Sequence, residues 1–229
     1  MLEPASAPSF SDPLDDFRRA YFGPYDHYLG WHDGYDADFG VLDRLTRPHR
    51  LEAEAELCEA LRTQRADPRA VLGLEHLRSR AGLPVLHDSL LRFGIYALGA
   101  IASIDPTALD ADRVLAHLSN RKLTEEQLYS LAIGLGTYFT PSQLGPRVPA
   151  QLLELMADRR YLVRNHALGA LRKLYRLPDP KAGNGTIITR ADIRSDEIFG
   201  LISTDGRTDD FRRAQDMLRA QIEAFDTGS

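Results

Sequence analysis

Apolar residues return along most of this chain at intervals of three and four, the spacing that places them on one side of an α-helix. Over residues 50–177 that stripe is itself periodic. Ala97-Leu98-Gly99-Ala100-Ile101, Ala132-Ile133-Gly134-Leu135 and Ala167-Leu168-Gly169-Ala170-Leu171 begin at positions 97, 132 and 167, two steps of 35 residues. The flanks keep the same register, with Leu83, Leu118 and Leu153 ahead, Phe93, Leu128 and Val163 closer in, and Ile104, Phe139 and Leu174 behind. A looser copy, Ala70-Val71-Leu72-Gly73-Leu74, precedes them. One helical hairpin cannot bury its own apolar face, so this repeat predicts hairpins that stack and share a core. Ala and Gly beside the stripe predict close approach between neighbouring helices.

Capping and turn residues mark the ends. Residues 11–22 read as a helix with Ser11 as N-cap, Pro13 in the first turn, and Asp15 and Asp16 near its positive end. Gly23-Pro24 stops it. The last helix is expected from Thr208 to about Phe225, with Asp209 and Asp210 in its first turn. Asp-Asp-Phe-Arg-Arg-Ala occurs in both, at Asp15–Ala20 and Asp209–Ala214, and reads as shared helix-start chemistry. Between the repeat and the last helix lie a turn-rich break from Pro178 to Thr186 and a short helix near Asp196–Ile202.

The last copy carries more than periodicity. Pro149-Ala-Gln-Leu152-Leu153-Glu-Leu155-Met-Ala-Asp158, followed by Val163-Arg164 opening an Ala-rich second helix, resembles a HEAT repeat. The resemblance implies an all-α protein: a HEAT-like α-solenoid of stacked helical hairpins at 47–177, with helical extensions at 1–46 and 178–229. It further implies polar contacts within and between hairpins through Asp158 and Arg164, and a binding surface rather than a reaction. The other copies lack the Val-Arg pair.

Composition narrows the setting. A hydrophobic fraction of 43% and a charged fraction of 27% are those of a globular chain. No run approaches the roughly 18 apolar residues of a membrane span, and the first residues lack the basic-then-apolar pattern of a secretory signal. Cys58 is the only cysteine, which excludes an internal disulfide and a multi-cysteine metal site. These features predict a cytoplasmic protein. Lysine occurs only at 122, 173 and 181, an arginine bias typical of GC-rich bacterial coding.

Charge is unevenly spread. Residues 1–46 hold nine Asp/Glu against three Arg, a balance of −6, whereas residues 47–180 come to +3 and residues 181–229 to −2. Four of the nine tyrosines and the single tryptophan fall inside the acidic segment. Aromatics and carboxylates on a loop suit protein binding, because aromatic rings give contact area at small entropic cost. Tyr25, Tyr28, Trp31, Asp33, Tyr35, Asp36 and Asp38 are therefore the candidate surface for a basic protein partner. The same residues also suit a plug over the end of a helical stack. Small acidic helical-repeat proteins of this kind occur in bacteria as immunity proteins that neutralise basic toxins.

Two further readings come from other classes. Arg159, Arg160, Arg164, Arg172, Lys173 and Arg176 crowd the final repeat, and Arg160, Arg164, Arg172, Lys173 and Arg176 would form a phosphate-binding stripe in a HEAT-like nucleic-acid-binding protein or repair enzyme. His27, His32, Asp33, Asp36 and Asp38 are the right types for a divalent metal, as a metal-dependent enzyme would need, but in no established spacing. His87-Asp88 falls at a hairpin turn, with Asp88 aligned on Asp158, and reads as a helix cap. No phosphate loop or nucleophile elbow is present, so the sequence implies no cofactor and predicts a non-catalytic module.

Overall fold

A computed structural model describes residues 12–26, 28, 30, 34–178, 196–203 and 208–228. These residues form thirteen α-helices and one 3-10 turn, with no strand among them, so the described chain is all-α. It divides into two compact units, Met1–Val85 and Leu86–Ser229.

The first unit holds α1 (Pro13–Phe22), α2 (Phe39–Asp43), α3 (Arg47–Arg62) and α4 (Pro68–His76). Asp12, not Ser11, caps α1: its carboxylate accepts from the Leu14 amide at 2.9 Å. Pro13 then occupies the first helical position, where a missing N–H costs nothing. Leu14, Phe17 and Tyr21, spaced three and four apart, are the buried face of α1. They join Leu42, Leu57 and Leu74 in the core of this unit. Thr46 caps α3 and Asp67 caps α4, each ahead of an early proline.

Helix α5 (Leu83–Asp88) spans the boundary. The second unit continues with α6 (Leu90–Ile104), the 3-10 turn Pro106–Ala108, α7 (Ala111–Leu118), α8 (Glu125–Tyr138) and α9 (Pro141–Leu144). After these come α10 (Arg147–Leu155), α11 (Tyr161–Leu174), α12 (Glu197–Ser203) and α13 (Thr208–Gly228). Helix α8 packs between α6 and α11; α7 packs on α10, and α12 lies against α11 and α13. The repeated residues line these seams, with Ala97, Ala132 and Ala167 all buried, as are Phe93, Leu128 and Val163.

The interval of 35 reappears as the register between neighbours. Ser130 accepts from the Ile95 amide, Arg147 pairs with Asp112, Lys173 donates to Thr137, and the Tyr129 ring meets His166. Each pair lies within two residues of the sequence repeat. Two glycine positions set the seams. At Gly136 an added Cβ would lie 2.5 Å from the Ala170 Cα, so α8 and α11 touch backbone to backbone. Gly94, at φ +24°, kinks α6, and the Ser130 hydroxyl enters the kink to take the Ile95 amide at 3.1 Å.

Candidate functional site

The aromatic segment of the first unit is anchored by a residue far along the chain. Tyr25 and Tyr35 stack at 5.4 Å, and the Arg69 guanidinium lies over Tyr25 at 4.4 Å. Arg69 is itself held on four sides. It is bidentate on Asp67, and it donates to the carbonyls of Ala20 and Gly23 at the end of α1. Gly30 sits where a Cβ would come within 2.9 Å of both tyrosine rings, so a side chain there would part the stack. Outside this stack Tyr28 is 69% exposed, with its amide on the Asp26 carboxylate. Asp36 and Asp38 are exposed too. Tyr25 and Tyr35 thus act as anchors, while Tyr28, Asp36 and Asp38 face solvent. His27, Trp31, His32 and Asp33 lie outside the described residues.

A second acidic feature of this unit has no counterpart in the sequence reading. Arg18 is clasped by Glu52 and Glu56, which hold its guanidinium well above its ordinary pKa. Glu56, Glu59, Ala60, Phe22 and Arg65 line a hollow of about 410 Å³. Phe22 is 39% exposed there, an aromatic surface beside two carboxylates. The available signal was the run of glutamates in α3, Glu52, Glu54, Glu56 and Glu59.

The basic residues of the second unit divide into two groups. Arg172 is buried, and its guanidinium donates to both oxygens of Asp196 at 2.7 and 2.8 Å. Arg164 is buried as well, donating to the carbonyls of Ile202 and Asp158 while lying 4.4 Å over the Phe211 ring. Arg160 is bidentate on Asp158 and donates to the Leu123 carbonyl. Burial raises the Asp158 carboxyl, but hydrogen bonds from the Arg160 side chain and amide outweigh it and hold the group below its ordinary value. Arg159, Lys173 and Arg176 are exposed. The Asp158 carboxylate therefore meets Arg160 rather than Arg164, which reaches only its carbonyl. Asp67-Pro-Arg69 makes the same Asp-x-Arg clasp in the first unit.

His87 accepts the Asp110 amide at 3.1 Å, and Asp88 pairs with Arg113 at 2.6 Å. The pair thus braces the start of α7. His76 stacks on Phe39 and bonds Asp43 at 2.8 Å. His166, with Asn165, Ile133 and Lys173, borders a hollow of about 190 Å³ over Gly169. No group of three potential metal ligands occurs among the described residues. Cys58 is buried, and burial pushes its thiol pKa up, which disfavours a reactive thiolate. No described helix is long and apolar enough to cross a membrane.

Comparison with known proteins found no protein-family model, curated protein or solved structure that matches this chain.

Proposed function

We propose that this chain is a non-catalytic protein-interaction module, with its hairpins stacked as a HEAT-like solenoid, that holds a basic protein through the acidic, aromatic surface of its first unit. An immunity or inhibitor role is the sharpest form of this reading. The observation that carries it is Tyr28, exposed beside Asp26 and backed by the anchored Arg69–Tyr25–Tyr35 stack, with Asp36 and Asp38 also in solvent. An exposed aromatic with carboxylates around it offers contact area and steering charge.

The test compares capture of basic proteins from host lysate by the native chain and by Asp36→Lys with Asp38→Lys. Each lost exposed pair is worth up to about 1 kcal/mol, so the double reversal should weaken binding by up to roughly thirtyfold. Equal capture by both, with circular dichroism unchanged, would sink the electrostatic reading.

A second reading, nucleic-acid binding, rests on the exposure of Arg159, Lys173 and Arg176. Salt-sensitive retention on nucleic acid, lost with Lys173→Glu and Arg176→Glu, would favour it. A third, a metal-dependent enzyme, would require bound metal in the purified protein.

A further inference from the structure

We propose that the second unit docks an extended acidic peptide segment of a partner protein in a groove along one row of its interhelical turns. This goes beyond the binding surface assigned to the first unit and does not depend on it. The groove, about 620 Å³, runs between the turn Ser119–Arg121 after α7 and the turn Ala157–Arg160 after α10. That is within the range of clefts that hold ligands.

Charge selects this groove from the rest of the unit. Most described arginines of the second unit have a carboxylate: Arg113 has Asp88 and Asp110, Arg147 has Asp112, Arg160 has Asp158, Arg172 has Asp196, Arg212 has Asp209, Arg213 has Glu197 and Arg219 has Asp216. Arg121 and Arg159, both exposed and both lining the groove, form no ion pair among the described residues. Lys122, also exposed, follows Arg121 directly. The groove thus gathers two cations without an ion pair among the described residues, with Lys122 next in sequence to one of them, against one exposed carboxylate, Glu154, because Asp158 in its wall is held by Arg160. Two guanidiniums on opposite sides offer bidentate sites for carboxylates. Asn120 and Gln151 supply amides for a peptide backbone, with the Gln151 carbonyl already taking the Ser119 hydroxyl at 3.2 Å.

The same groove disfavours a nucleic-acid strand. Glu154 lines it, exposed, and Glu125 and Glu126 follow three and four residues after Lys122. A phosphate backbone carries charge at every step and would run against these carboxylates. A peptide places its carboxylates only at the arginines and offers N–H groups to Glu154.

The test is selection of a displayed random dodecapeptide library on the native chain, with counter-selection on Arg121→Glu with Arg159→Glu. The selected consensus peptide is then titrated by fluorescence anisotropy at 50 and 200 mM salt. The expected result is a consensus rich in Asp and Glu, weakened tenfold or more by the double reversal and by the higher salt. Lys173→Glu with Arg176→Glu should leave it unchanged, and Glu154→Lys should strengthen it. Circular dichroism checks that each variant folds. A consensus without acidic residues, equal binding to the double reversal, or no selection at all would overturn the proposal. Displacement of the peptide by a dT12 oligonucleotide at equal concentration would reassign the groove to phosphate binding.

Discussion

The buried pair Arg172–Asp196 gives the sharpest account of how a surface-looking residue became part of the fold. Both side chains are 5% exposed, and the guanidinium and carboxylate meet through two bonds of 2.7 and 2.8 Å. Asp196 also accepts the Phe199 amide at 3.1 Å, so it orders the start of α12. Replacing Arg172 by Met leaves Asp196 a buried charge, and Asp196→Asn leaves Arg172 one while keeping an oxygen for Phe199. Breaking a buried pair from one side costs about 3–5 kcal/mol. The double variant removes both charges together, and the remaining loss is two hydrogen bonds, about 2 kcal/mol in all. It should therefore be more stable than either single variant. Urea unfolding followed by circular dichroism at 222 nm measures all four corners of the cycle. Additive single costs, or a cost under about 1 kcal/mol for Arg172→Met, would refute the reasoning.

Two further outcomes follow from the same structure. Gly136→Ala should destabilise by about 1–3 kcal/mol, because its Cβ meets the α11 backbone, whereas Gly169→Ala, with open space around it, should stabilise by up to about 1 kcal/mol through helix propensity; thermal unfolding of both variants gives the two signs. Asp158 has a lowered pKa, so its contribution is present above the unfolded value near 3.8 and lost as pH falls through the folded one. The stability gap between the native chain and Asp158→Asn should hold at pH 5–7 and shrink below about pH 4; a gap constant down to pH 2 would contradict the Asp158–Arg160 clasp.

Sequence alone placed the end helices and the repeat helices, because their signals are local, but not the short α2, which falls in the segment read as a loop. A stripe at every third and fourth residue, Gly23-Pro24 after one helix and Thr208-Asp209-Asp210 before another each act within a turn or two of chain. The interval of 35 is long-range information of a simple kind, and it returned as the register of Ser130 on Ile95 and Lys173 on Thr137. Even the cap of α1 was off by only one residue, since Ser11 and Asp12 carry similar capping chemistry.

Tertiary structure decided the fate of the charges. Arg159, Arg160, Arg164, Arg172, Lys173 and Arg176 look alike in the chain. Arg164 and Arg172 are buried because α12 and α13 bring Ile202, Asp196 and Phe211 over them from 24 to 47 positions away. Arg69 likewise looks like an ordinary first-turn residue, yet it holds the aromatic segment some 40 residues earlier. Whether a polar side chain is buried depends on which distant group satisfies it, and no periodicity carries that information. The groove between the turns at 119–121 and 157–160 was hidden for the same reason: its two arginines become neighbours only once α7 and α10 pack side by side.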